Sequence, residues 1–157
     1  MRKLVFLLCI FLGMSYLSCN ALEGEKLFTY FKLKKDQVLQ RLGNNYSIVY
    51  TGAEGSYEGY HYPKIGITIV FEDNETIRFI ECDNKVNFNG AKAGMSFAKI
   101  QQKLGKREIQ ETWYETEDNK AYKIEYVYGD LIVEFLSFNK DGKDSVVTIY
   151  KNPSSNN

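Results

Sequence analysis

LKKDQVLQRLG at residues 33–43 and MSFAKIQQKLG at residues 95–105 are two versions of one phrase. Laid over each other, Leu33 meets Met95, Val38 meets Ile100, Gln40 meets Gln102, Arg41 meets Lys103, and Leu42-Gly43 meets Leu104-Gly105. Val38 and Leu42, like Ile100 and Leu104, stand four apart and share one face of a helix. Gly43 and Gly105 follow where a helix closes in a left-handed cap, so each phrase predicts a short helix. Ser96 is the expected N-cap of the second, whereas the first has Lys34 at that place and starts less cleanly.

Downstream of each helix the apolar spacing changes from four to two. Ile67, Ile69 and Phe71 alternate with Thr68, Val70 and Glu72, and Leu131, Val133 and Phe135 alternate with Ile132, Glu134 and Leu136. Residues 72–75 and 139–143 read as hairpin turns returning through strands at 76–82 and 145–151. Further strands are expected at 46–51, 59–64, 109–115 and 121–128. The expected fold is therefore α+β: two tandem units, residues 25–85 and 86–151, each a short helix packed on a roughly four-stranded antiparallel sheet, because neither layer buries its apolar side alone. Residues 152–157, ending Pro-Ser-Ser-Asn-Asn, read as a disordered tail.

Residues 1–21 have the three-part layout of a secretory signal: Arg2 and Lys3, an apolar run from Leu4, then Ser15, Ser18, Cys19 and Asn20. The run is shorter than the roughly 20 residues that cross a bilayer. Two cleavage chemistries remain open. Leu17-Ser18-Cys19 resembles the lipobox of bacterial lipoproteins, in which the cysteine is acylated, although Tyr16 stands where that pattern has leucine. Ordinary cleavage after Ala21 uses Cys19 and Ala21 as its small residues. Both predict an exported protein, either a lipoprotein of the cell envelope anchored at Cys19 or a freely secreted one.

Without Arg2 and Lys3 the basic count falls to 18 against 20 acidic residues, a formal charge of about −2 with no long run of one sign. Such a surface has no electrostatic reason to bind nucleic acid, and contact with a membrane is expected only through a lipid anchor or the signal segment. Twelve Tyr, ten Phe and only two Pro mark a sheet-rich globular chain rather than a disordered one. With Cys9 in the signal and Cys19 lipidated or removed, Cys82 is a lone thiol, so no disulfide framework or cysteine-based zinc site can be built.

Lys92-Ala93-Gly94-Met95-Ser96, followed by Ile100 and Leu104-Gly105-Lys106, resembles a motif of SmpA/OmlA lipoproteins and of β-lactamase-inhibitor-like repeat proteins, in which a Gly-Met-Thr-like start caps a helix ending in Leu-Gly. The resemblance covers about twelve residues of the second phrase and the Val-x-x-x-Leu-Gly half of the first. The usual proline after Leu-Gly is missing, with Asn45 and Arg107 in its place. The inhibitor-type resemblance implies two units forming one concave sheet that grips a partner protein.

Catalytic signals are scarce. His61 is the sole histidine, no metal or cofactor site is expected, and a Cys82–His61 dyad would require two distant strands to meet. There is no H-E-x-x-H, G-x-S-x-G or phosphate-binding glycine loop. Asn139-x-Asp141-Gly142-x-Asp144 lacks the spacing and closing glutamate of a calcium loop, and a hairpin turn explains it. The tyrosines are the best lead, since Tyr and Trp supply wide, stiff contact area with a polar tip. Tyr50, Tyr60, Tyr62, Trp113 and Tyr114 are the candidate partner-binding residues; the competing reading is that such rings pack in the core, as Tyr122, Tyr126 and Tyr128 would on one strand face. The sequence thus predicts a non-enzymatic, exported protein-binding module, an inhibitor or assembly factor, with a small-ligand carrier as the alternative.

Overall fold

The computed structural model describes residues 22–52, 55–73, 75–113 and 120–156. In chain order the elements are β1 (Leu22–Glu23), a 3₁₀ helix (Gly24–Lys32), α1 (Lys35–Leu42), β2 (Ser47–Thr51), β3 (Tyr57–Tyr62), β4 (Ile67–Glu72), β5 (Thr76–Cys82) and β6 (Val86–Asn87). They continue with α2 (Phe97–Leu104), β7 (Gln110–Trp113), β8 (Lys120–Tyr128), β9 (Leu131–Ser137), β10 (Val146–Lys151) and a 3₁₀ turn (Pro153–Asn156). Each helix and strand read from the spacing is present within a few residues of its expected bounds. Their assembly is different.

Eight of the strands form one antiparallel sheet in the order β2-β3-β4-β5-β10-β9-β8-β7, and strand outweighs helix by 46% to 23%. The expectation of two tandem α+β units, each with its own four-stranded sheet, is overturned by the seam where β5 pairs with β10, Val147 opposite Cys82 and Ile149 opposite Ile80. The reason is physical. Cys82, Ile80, Val147 and Ile149 are all buried on one face, and two separate sheets would each end in an unpaired apolar edge that pairing removes. One hydrophobic cluster accordingly runs through Leu27, Val38, Ile69, Ile80, Ile100, Val133 and Ile149.

The first 3₁₀ helix, α1 and α2 cover that face. The 3₁₀ segment has no counterpart in the sequence reading, because Leu27 and Phe31 alone do not separate it from a loop; both are buried. Ser96 is the N-cap residue of α2, but its hydroxyl makes no capping bond. The helix start is held from outside instead, Phe97 N–H donating to the Asp141 carbonyl at 3.0 Å and Ser145 Oγ donating to the Met95 carbonyl at 2.9 Å. Gly142 permits this docking, since a Cβ there would lie 2.4 Å from the Phe97 ring. At the other helix ends Gly43 and Gly105 take φ of 77° and 92°, and buried phenols satisfy their carbonyls: Tyr62 Oη donates to Gly43 at 3.2 Å and Tyr126 Oη to Gly105 at 2.8 Å. At the C-terminus, where a disordered tail is expected, Asn152 N–H donates to the Asp130 carbonyl at 2.8 Å and 153–156 coil into the 3₁₀ turn.

Candidate functional site

The face of the sheet opposite the helices is the candidate site. Strand alternation sends every second residue there, and the register lines them up across strands. A polar row runs His61, Thr68, Glu81, Thr148, Glu134, Glu125 from β3 to β8. Beside it runs an apolar and aromatic row of Gly59, Val70, Phe79, Tyr150, Ile132 and Val127. On its other side lie Val146, Leu136, Lys123 and Gln110. Val70, Ile132 and Leu136 are buried yet stand apart from the main cluster, as residues of a second face should.

Two grooves cross this face. One, of about 500 Å³, lies over the β5–β10 seam between His61, Thr68 and Asp83 on one side and Leu136, Phe138 and Val146 on the other. The second, of about 700 Å³, runs between Arg78, Phe79, Tyr150 and Pro153. Glu81, Glu134 and Thr148 border both. Val127, Phe138 and Val146 are each more than half exposed on or beside this face.

Like charges meet at its centre. Glu125 and Glu134 are direct cross-strand partners, an arrangement that opposes folding unless a cation or donor intervenes. Lys123 supplies the cation, its Nζ bonded to Glu125 Oε1 and 3.3 Å from Glu134 Oε2. Tyr150 supplies the donor, its hydroxyl 2.9 Å from Glu125 Oε1 and 3.3 Å from Glu134 Oε2. The two carboxylates respond oppositely. Burial pushes Glu134 up, and the Lys123 charge only partly offsets it. Burial also pushes on Glu125, but the bonds from Lys123 and Tyr150 outweigh it and hold that carboxyl below its ordinary value. Lys123 is raised because its bonds to the two carboxylates outweigh its own burial, and the Tyr150 hydroxyl is raised by burial and then by the Glu134 charge. Glu81 is engaged too, accepting from Thr51 Oγ1 at 2.7 Å. Such a network can present hydrogen-bond acceptors to a bound molecule, while its protons and cation are already committed internally.

The tyrosines named from the sequence are dispersed. Tyr60 and Tyr62 lie in the core on the helix-covered face, their rings tilted against Tyr46 with centroids 5.0 and 5.6 Å away. Tyr126 lies there too, edge-on to Phe135. Tyr50, 73% exposed on β2, and Trp113, 60% exposed on β7, stand at opposite edges of the sheet. Tyr114 and Cys19, with all of residues 1–21, where a signal segment is expected, lie outside the described residues. The structure therefore does not bring Tyr50, Tyr60, Tyr62 and Trp113 into one patch.

The remaining candidates are structural. His61 Nδ1 is 3.1 Å from Thr68 Oγ1 on the uncovered face, whereas Cys82 belongs to the neighbouring row on the covered face. Burial also pushes the Cys82 thiol far up, away from thiolate. Residues 139–143 form a turn in which Gly142 N–H donates to the Asn139 carbonyl at 2.8 Å and Lys143 N–H to Asp141 Oδ1 at 3.1 Å. Among the described residues no three His, Cys, Asp or Glu side chains are grouped as metal ligands, and no helix is long and apolar enough to cross a membrane.

Fold and site together define a β protein built on one eight-stranded antiparallel sheet, with β1 and β6 paired in parallel beside it, one face of the large sheet packed under helices and the other left as a mixed polar and apolar surface. No protein-family model matches the chain, and no curated protein does. Among solved structures it is similar to a DUF4309 family protein (YjgB) from Bacillus subtilis, at 13% identity over 76% of this chain and 78% of that one, with a TM-score of 0.44.

Proposed function

We propose that the chain is an exported, non-enzymatic binding module that holds a protein partner against the uncovered face of its sheet. The observation that carries this reading is the run of exposed Val127, Phe138 and Val146 around a polar row bordered by two grooves. Exposed apolar residues grouped around hydrogen-bonding groups are the composition of a protein interface, with an apolar centre and a polar rim. Binding is favoured over catalysis because the shifted carboxylates are bound up by Lys123 and Tyr150, and because Cys82 and His61 face opposite ways. The inhibitor-type resemblance read from residues 92–106 points the same way.

A photo-crosslinking residue placed at Val146 or Phe138 in the native host tests the proposal. Both positions should trap one discrete protein, and a crosslinker at Lys99 on the exposed side of α2 should trap nothing. Equal labelling at all three sites would reject it. A second reading, a small-ligand carrier, draws on the seam groove, whose roughly 500 Å³ falls within the range of ordinary ligand pockets. It requires a metabolite that raises the melting temperature, with the rise lost in Val146→Asp.

A further inference from the structure

The sheet is open, so it has two edges, and they are unalike. Among the described residues β7 pairs only with β8, and its edge is charged: Glu111 is bridged to Lys120 at 2.6 Å, with Lys106, Arg107 and Glu108 exposed just before the strand. Charge on an edge strand is how proteins discourage further pairing. Among the described residues β2 pairs only with β3, so every second backbone N–H and C=O from Ser47 to Thr51 points out of the sheet. Ser47-Ile48-Val49-Tyr50-Thr51 contains no charge, no proline and no glycine, and its register with β3 is regular, without a bulge. Ile48 is 46% exposed and Tyr50 73%, both projecting on the helix-covered side at its rim.

We propose that β2 is a homodimerisation edge, which pairs antiparallel with β2 of a second copy about a two-fold axis through Val49. The occupant follows from the strand's own pattern. An antiparallel pairing centred on Val49 sets Ser47 opposite Thr51 of the other copy, Ile48 opposite Tyr50, and Val49 opposite itself. Every pair joins like to like, polar with polar and β-branched with aromatic or β-branched, which are the favourable cross-strand combinations. No charge is opposed or desolvated. The contact is isologous, so it closes at two copies and leaves the charged β7 edges outward, joining two eight-stranded sheets into one. A single-strand interface buries less than about 1,000 Å², so the dimer is reversible and concentration-dependent rather than obligate. This surface is distinct from the partner face, and either can fail without the other.

Sedimentation velocity over a wide concentration range tests it. The wild type should shift reversibly from one to two chain masses as concentration rises. Val49→Lys and Val49→Glu each place like charges on the axis and should sediment as monomers at every concentration, while an equimolar mixture of the two should recover the doubled mass. Far-ultraviolet circular dichroism, and melting temperature at dilutions where the wild type is monomeric, should match the wild type, since Val49 sits on an edge strand. A wild type that stays monomeric into the millimolar range would overturn the proposal. So would dimers that survive both substitutions, a mixture that stays monomeric, or open-ended oligomers that disappear on replacing Glu111, which would mean head-to-tail pairing of β2 with β7.

Discussion

The two faces of the sheet are made from the same strands, residue by alternate residue, yet they are put together on different terms. On the covered face Ile69, Ile80, Ile124, Val133, Phe135 and Ile149 are fully buried and meet the helices through Val38, Phe97 and Ile100. On the uncovered face polar and apolar residues run in parallel rows, and the most buried charges are held by one lysine and one phenol. The difference teaches that the covered face carries the stability, while on the other, the face proposed for recognition, a charged side chain costs little as long as it is partnered.

The largest test of that division is on the covered side. Phe135 is fully buried between Phe88 and Tyr126, with ring centroids 6.3 and 6.1 Å away, and Phe135→Ala should cost about 3–5 kcal/mol in urea denaturation. A loss near that of a surface substitution would mean the two faces share the load. Next is Lys123→Met. It leaves Glu125 and Glu134 facing each other on half-screened strands, and should cost about 1–3 kcal/mol at pH 7. The sign with pH follows from Glu125. Its lowered carboxyl contributes stability above its unfolded value near 4.3 that is lost as pH falls through the folded value. Removing Lys123 removes that contribution and lets the already raised Glu134 rise further, so the deficit of the variant should be full at pH 7 and shrink as pH falls through the carboxylate range.

Smaller still is Tyr62→Phe, which frees the Gly43 carbonyl at the end of α1 and should cost about 1 kcal/mol at neutral pH. Burial pushes the Tyr62 hydroxyl up to about 12, so its protonated form is the one the fold prefers. That preference is fully present below the unfolded value near 10 and lost as pH rises through 12, so the difference between variant and wild type should vanish in that window. The smallest effect on stability is expected from Val146→Asp on the uncovered face, within about 0.5 kcal/mol, because the side chain is already largely in water.

Much of this division can be read in the amino-acid sequence, and the part that cannot has a physical cause. Alternation along residues 120–128 already sets Lys123, Glu125 and Val127 against Tyr122, Ile124 and Tyr126, and the glycines after Leu42 and Leu104 mark both helix ends. What alternation cannot convey is which strand lies beside which. The β5–β10 seam joins residues near 80 to residues near 148 through no turn or connecting loop, so nothing local marks it, and the two-unit expectation stopped short of it. The site was hidden for the same reason. Glu81 and Glu134 are unremarkable charged positions in their own strands and become neighbours of one surface only through Thr148. Tyr60 and Tyr62 show the converse, since aromatic composition does not tell a recognition ring from a core ring until their strand face is known.

The most direct measurement is the affinity of the crosslinked partner for two charge variants, Val146→Asp on the uncovered face and Lys99→Asp on α2. If the uncovered face is the binding surface, Val146→Asp should weaken the complex by at least about a hundredfold, the effect of losing a central apolar contact, and Lys99→Asp should leave it unchanged. A complex weakened by Lys99→Asp and indifferent to Val146→Asp would place recognition on the helices and contradict the account.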